Sequence, residues 1–195
     1  MDDNSLVRIA KKRTVVTYVE FWGVSRFLLQ EGVEREEGSL LNFMASLTYT
    51  AFSFEACLNH VGQEIFPDLA WKAIERLSPR SKLEVIAEKL ELKLDFGRKP
   101  WSVMIDLFRF RDQIAHGKSE ILEDTSEVPL VDHQEHAWTF TPAKWEKYRT
   151  REHAEDARAQ VEEMVKLIHE KWGHPHHFPF VGGFQIASVT QVPTT

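Results

Sequence analysis

Apolar residues recur at alternating spacings of three and four along residues 40–65, which is the clearest periodic pattern in the chain. The recurring positions are Leu47, Ala51, Phe54, Leu58, Val61 and Ile65. On a helix these positions share one face, and Tyr49, Ser53, His60 and Glu64 fall on the opposite side. The pattern predicts a helix from Leu40 to Ile65 that turns its apolar face toward the core.

Weaker patterns predict helices on either side of this one. Residues 14–31 are interpreted as a helix, although β-branched residues crowd its first half. Asp68–Leu77 forms a short helix in this interpretation. Ser78 followed by Pro79 is a cap and first-turn signal for the next, which carries an apolar stripe of Leu83, Ile86, Ala87 and Leu90.

Proline and glycine bound the two remaining predicted helices. Pro100 suits the first position of a helix, and Gly117 suits the left-handed residue that follows the last. Thr141 and Pro142 start a long helix, which Gly173 ends. The apolar stripe of that helix is Ala154, Ala157, Val161, Met164, Val165, Ile168 and Trp172.

Residues 118–140 break the helical pattern. They contain Pro129 and six acidic residues, with no basic residue after Lys118. We interpret this segment as a long acidic excursion before the C-terminal helix, with a hairpin that uses the sequence "AWTF".

These elements predict an all-α protein, an antiparallel bundle of five or six helices. A charged and frayed leader occupies residues 1–13, a single helical domain occupies 14–172, and an extended or disordered tail occupies 173–195. Most tryptophans border apolar helical faces, which favours packing in the core over stacking on nucleobases.

Composition and charge indicate where in the cell the protein is expected and how it could contact RNA. The most apolar N-terminal stretch carries Glu20 and Arg26 and lacks a cleavage signal, so we expect neither a membrane span nor an export signal. The single cysteine, Cys57, cannot form an internal disulfide, which favours the cytoplasm. The formal net charge of −6 gives no global attraction to nucleic acid, so any contact with RNA must be local.

The helix that ends at His116 carries a charged residue on its apolar side. Arg111 falls near the centre of an apolar arc of roughly 160°. An unpaired buried charge costs several kcal/mol, about enough to unfold a marginal protein, so Arg111 needs a partner. Either Glu55 on the earlier helix forms a structural ion pair with it, or Arg111 opens into a cleft shared with a second subunit.

His116 also allows two interpretations. A lone histidine at a helix C-terminus can simply favour the helix dipole when it is protonated. However, Asp112 lies one turn earlier and could hold the imidazole, and Arg109 lies two turns earlier on the same face. Together they form a candidate acid/base cluster.

The sequence "RDQIAH", with Arg111, Asp112 and His116, resembles the signature of HEPN domains. That signature is an arginine followed by Asn, Asp or His, and a histidine after about four to six residues near a helix end. The segment "SFEACLNHVGQEIF" resembles the earlier long helix of these bundles, and the resemblance covers roughly residues 40–170. The tyrosine that follows the histidine in some toxin-type relatives is absent.

The resemblance implies a metal-independent endoribonuclease of a toxin–antitoxin or defence type, with no cofactor and with an antitoxin or regulatory protein as a further partner. The apolar arc around Arg111 is too broad for packing on one side, so we also expect a homodimer whose interface includes the helix from Pro100 to His116. His116 would accept the proton of the ribose 2′-hydroxyl, Arg111 would stabilise the charge on the phosphate, and a 2′,3′-cyclic phosphate would form. Residues five apart point about 140° away from each other on a helix. Arg109 therefore remains a second candidate, or Arg and His come from different subunits.

Two other functions stay open at this point. A HEPN-like bundle could bind a nucleotide, RNA or a partner protein without cleavage. The histidines near the C-terminus, His169, His174, His176 and His177, could bind a transition metal, but no aligned carboxylate or cysteine accompanies them, so we expect no metal site.

Overall fold

The computed structural model describes residues 7–175 and 178–191, and it is mostly helical. Within these residues the α-helices are α1 (Thr17–Glu34), α2 (Ser39–Ile65), α3 (Asp68–Ile74), α4 (Pro79–Lys89), α5 (Trp101–Ala115), α6 (His133–Ala137) and α7 (Arg151–Trp172). The strands are β1 (Val7–Arg13) and β2 (Gln185–Gln191). In the described part of the chain, no helix is both long and apolar enough to cross a membrane.

Helix α2 is the centre of the fold, because α1, α3, α4, α5 and α7 all pack against it. Its predicted apolar face is confirmed: five of the six positions are fully buried, and Ile65 packs at the edge of the core. Cys57 is also completely buried, and burial raises the pKa of its thiol. The same core takes in the predicted stripe of α7.

The side of α2 that faces α1 is buried as well, although the sequence pattern placed Ser53 on the side opposite the core. Ser53 is fully buried and its hydroxyl donates to the carbonyl of Tyr18 at 2.7 Å. Ser25 of α1 contacts the hydroxyls of Ser46 at 3.2 Å and Thr50 at 2.6 Å. Small hydroxylated residues let the two helices approach closely while their polar atoms stay satisfied.

The two ends of the described chain form an antiparallel ribbon, which corrects the expected frayed leader. Strand β1 pairs with β2 in a register that matches Val7 with Gln191 and Arg13 with Gln185. The pairing extends one residue further through a hydrogen bond from the Thr14 N–H to the Phe184 carbonyl at 2.9 Å. We call this end of the ribbon its root. Pairing between such distant segments leaves no local signal, since only their contact in space defines it.

Two details of the predicted helix ends differ in the structure, and a third is confirmed. Helix α5 ends where predicted, with His116 as its C-cap at φ −117° and ψ 20°, but Gly117 does not adopt the left-handed conformation. The last long helix begins at Arg151, not at Thr141, because the Thr150 hydroxyl caps it by accepting from the His153 N–H at 3.3 Å. Gly173 ends this helix with φ +63°, as predicted.

The acidic excursion is an exposed segment, but it contains no hairpin. The short helix α6 precedes the "AWTF" residues, and a 3₁₀ turn at Leu130–Asp132 leads into it. Several of its large apolar residues face solvent, namely Ile121, Leu130, Val131, Trp138 and Phe140. Nothing in the described part of the chain covers these side chains.

Gly62 makes the contact between α2 and α3, and this contact is testable. A Cβ added at Gly62 would lie 2.1 Å from the ring of Trp71, whereas one added at Gly23 in α1 meets nothing within 4 Å. Gly62→Ala should lower the free energy of unfolding by about 1–3 kcal/mol through this overlap. Gly23→Ala should raise it by about 0.5–1 kcal/mol, since alanine favours a helix. Urea unfolding of both variants measures this, and equal effects would contradict the packing.

Candidate functional site

Helix α5 presents one face to the core and the other to solvent. Trp101, Met104, Leu107, Phe108 and Phe110 are buried. Three polar residues on the opposite side, Arg109, Gln113 and His116, are exposed. The helical period alone produces this division, because positions three and four apart share a face. The polar face is where the candidate site lies.

Arg111 is paired inside the bundle, as the structural interpretation expected. Its Nη2 lies 2.6 Å from Oε2 of Glu55 on α2, and its side chain is only 15% exposed. The guanidinium also lies 5.2 Å from the ring centre of Phe108. The predicted contact between Glu55 and Arg111 is therefore present, and it links α5 to α2.

Asp112 also binds Arg111, which differs from the expectation that it would hold the imidazole of His116. The Nη1 atom of Arg111 lies 2.9 Å from Oδ1 of Asp112. The remaining nitrogen, Nε, is buried and has no hydrogen-bond partner among the described residues. Both terminal nitrogens of Arg111 are thus bound to carboxylates of its own chain.

A buried lysine extends this charge network, and the sequence analysis missed it. Lys82 is 3% exposed, and its Nζ lies 3.3 Å from Glu55 Oε1 and 2.8 Å from Asn59 Oδ1. A signal was present, because Lys82 stands one turn before Ile86 on the apolar stripe of α4. Glu55 therefore joins α4 and α5 to α2 through one carboxylate.

His116 and Arg109 lie on the wall of a cavity of about 570 Å³ between α5 and the start of α4. Met104, Ile105 and Phe108 supply its apolar side. Arg80 reaches it from α4, where its Nε also lies 3.0 Å from Oε1 of Glu84. Arg111 does not line this cavity.

Two smaller cavities adjoin the first along the polar face of α5. One of about 290 Å³ contains Arg109 and Gln113 together with Lys144, Tyr148 and His153. Another of about 270 Å³ contains Gln113 and His116 together with Lys118 and Trp145. Gln113 borders all three cavities, so together they form one surface, which we call the α5 groove.

Basic residues border the α5 groove on several sides, interspersed with the acidic residues Asp106, Asp112 and Glu120. Arg80, Arg109, Lys118 and Lys144 come from different parts of the sequence. Arg109 is partly neutralised, since its Nη1 lies 2.7 Å from Oδ1 of Asp106, but both side chains are exposed and such pairs are weak. Periodicity within one helix could not reveal this convergence.

Among the described residues, no three His, Cys, Asp or Glu side chains lie close enough together to hold a metal ion. His169 is buried, with Nδ1 at 2.9 Å from the Val165 carbonyl and Nε2 at 3.3 Å from the Tyr18 hydroxyl. A carbonyl can only accept, so Nδ1 donates and Nε2 accepts from Tyr18. His176 and His177 lie outside the described residues.

Comparison of the chain with protein-family models, with curated proteins and with solved structures found no match in any of the three.

The charge network predicts that substitution of Glu55 lowers the free energy of unfolding more than substitution of Arg111 does. Glu55→Gln deprives Lys82 and Arg111 of their shared carboxylate and should lower the free energy of unfolding by about 3 kcal/mol. Arg111→Met keeps much of the apolar chain and leaves Glu55 with Lys82, so it should cost less, about 2 kcal/mol. The exposed pair gives the control: Arg109→Ala should cost under about 1 kcal/mol. Urea unfolding measures all three, and an Arg111→Met variant as stable as the wild type would refute the structural role of the pair.

Proposed function

We propose that the protein is a metal-independent endoribonuclease whose active site is the α5 groove. The observation that carries this proposal is the position of His116, which is exposed at the end of α5 between two adjoining cavities bordered by basic residues. An imidazole titrates near neutral pH and can exchange protons with a ribose hydroxyl. Basic side chains around it suit the phosphate that follows that ribose.

The largest cavity of the groove offers separate places for a base and a phosphate. Its apolar wall of Met104, Ile105 and Phe108 suits the face of a nucleobase. Arg80 and Arg109 lie at the same cavity and supply guanidinium groups, which bind phosphate oxygens in pairs. This combination fits a nucleotide better than it fits a purely apolar ligand.

Within one chain, the geometry favours Arg109 over Arg111 as the arginine that contacts the phosphate. Arg111 is largely buried and both of its terminal nitrogens bind carboxylates. Arg109 is exposed and shares a cavity with His116. In this proposal Arg109 stabilises the charge that develops on the phosphate, while Arg111 and Glu55 position α5.

The proposed reaction is an internal transfer within the RNA. His116 accepts the proton of the 2′-hydroxyl, and the 2′-oxygen forms a bond to the adjacent phosphorus. The bond from phosphorus to the 5′-oxygen breaks, and that oxygen receives a proton from the His116 of a second subunit. The products are a 2′,3′-cyclic phosphate and a free 5′-hydroxyl, so no water and no metal enter the balance of this step.

A second candidate function follows because both terminal nitrogens of Arg111 are bound to carboxylates. A HEPN-like module whose arginine is committed to structure would bind RNA or a nucleotide without cleavage. The exposed apolar residues of the acidic excursion, such as Ile121, Val131 and Phe140, favour a protein partner in either case, and an antitoxin is the partner we propose. The proposed setting is the cytoplasm, where the buried Cys57 would stay reduced.

The first functional prediction concerns His116 and Arg109. His116→Ala should slow cleavage of short RNA oligonucleotides by at least about 10²-fold, the usual contribution of a general acid/base. Arg109→Ala should cost a similar factor through lost electrostatic stabilisation. Asp106→Asn provides the control, since it frees Arg109 and should not slow the reaction. Excess chelator should leave the wild-type rate unchanged.

Product analysis and folding checks complete this experiment. Mass spectrometry should find a 2′,3′-cyclic phosphate, and circular dichroism should show unchanged helix content in each variant. Cleavage that survives His116→Ala would remove the α5 groove as the active site. A folded dimer that binds RNA and cleaves none would support the binding module instead.

The second functional prediction is a homodimer formed through α5. Ile105 is half-buried on the wall of the largest cavity, so Ile105→Asp should give a monomer, and it should lose cleavage both because the second His116 is absent and because the apolar wall for the base is altered. Leu69→Asp changes an exposed apolar residue on α3 and should leave both unchanged. Light scattering with multi-angle detection measures the mass. A monomeric wild type that cleaves RNA would contradict the shared site.

A further inference from the structure

The ribbon of β1 and β2 concentrates positive charge in an acidic protein. Arg8, Lys11, Lys12 and Arg13 all lie on β1, and every residue of that strand is exposed. Residues 4–19 and 171–195 contain no aspartate or glutamate, although the chain has 30 acidic residues. Arg13 lies 4.0 Å from Glu20 of α1, and this ion pair is exposed and weak.

The arrangement of the strands spreads this charge over both faces of the ribbon. The register places Arg8 and Lys12 on one face with Thr190 and Ser188, and it places Lys11 and Arg13 on the other. Lysines on an exposed ribbon also discourage edge-to-edge aggregation. Glutamates can serve that purpose too, so protection of the edges does not explain why both segments contain no acidic residue.

A further cavity, separate from the three of the α5 groove, lies at the root of the ribbon. It measures about 350 Å³ and is lined by Tyr18, His60, Glu64, Phe178 and Phe184 among others. Phe178 and Phe184 remain 62% and 65% exposed, so part of each ring faces solvent. The carboxylate of Glu64 disfavours a phosphate in this cavity but can accept hydrogen bonds from the amino group of a base.

The ribbon is held firmly to this cavity. The Thr14 N–H donates to the Phe184 carbonyl at 2.9 Å. Gly183 passes so close to Thr14 that an added Cβ would lie 1.8 Å from the Thr14 oxygen. The basic strand and the exposed aromatic rings therefore keep a fixed relation to each other.

From this juxtaposition we propose that the ribbon and the cavity at its root bind single-stranded RNA. The basic side chains of β1 contact the phosphates, and an unpaired base stacks on Phe184 at the cavity. Positive charge along the backbone combined with aromatic platforms is the pattern of single-strand binding, whereas a duplex keeps its bases stacked and cannot use the rings. This site is separate from the α5 groove, and only the choice of RNA as the polymer rests on the proposed function.

The test measures binding to a short 2′-O-methyl RNA, which lacks the reactive hydroxyl and cannot be cleaved. Lys11→Ala/Lys12→Ala removes one cation from each face of the ribbon, so a strand that follows one face loses one contact and the slope of log affinity against log salt should fall by about 0.7. Phe184→Ala should weaken binding about tenfold through lost stacking. The control Lys89→Ala/Lys93→Ala removes two exposed lysines elsewhere and should change neither quantity.

Three outcomes would overturn this proposal: equal loss in the control variant, tighter binding of an RNA duplex than of the single strand, or binding of vesicles that contain phosphatidylserine with none of RNA. Cleavage of a dinucleotide, which is too short to span both sites, separates the two proposals. It should be unchanged in Lys11→Ala/Lys12→Ala. If the α5 groove is not catalytic, the dinucleotide is not cleaved, and the binding experiment still tests the ribbon.

Discussion

The need to pair a buried arginine organises this structure. Arg111 lies within the apolar face of α5, and burial of an unpaired guanidinium would cost several kcal/mol, a large share of the stability of a domain of about this size. Glu55 removes that cost at 2.6 Å and pairs with Lys82 at the same time. Three helices, α2, α4 and α5, therefore meet at one carboxylate, and their mutual rotation is fixed there.

The orientation of the candidate site follows from this pairing. Once Arg111 points toward α2, the helical period places Arg109 and His116 on the exposed side. The start of α4, brought close by Lys82, contributes Arg80 and the opposite wall of the largest cavity. The buried network and the exposed groove therefore lie on opposite faces of α5. Of the motif that resembles HEPN domains, Arg111 belongs to the network and His116 belongs to the groove.

Local patterns in the sequence predicted those parts of the fold that depend on neighbouring residues. The face of α2, the cap at Ser78 and the end of α7 at Gly173 all arise within one or two turns. Glu55 could be matched to Arg111 because Glu55 borders the apolar stripe of α2 and Arg111 lies within the apolar arc of α5. The ribbon could not be predicted, because its strands lie at opposite ends of the described chain. Lys82 and Arg80 were missed because their positions depend on how α4 packs against α2 and α5. The start of α7 was predicted wrongly because Thr150, and not Thr141, caps this helix.

The most direct test of the account is the response of the His116 ring to a bound nucleotide. NMR of the histidine side chains, assigned by the signal that His116→Ala removes, would follow a titration with a nucleoside 3′-monophosphate. The account predicts that the His116 signal shifts on binding, that Arg109→Ala abolishes the shift, and that Arg111→Met preserves it in the folded protein. A His116 signal that does not respond while the nucleotide binds elsewhere would contradict the assignment of the α5 groove.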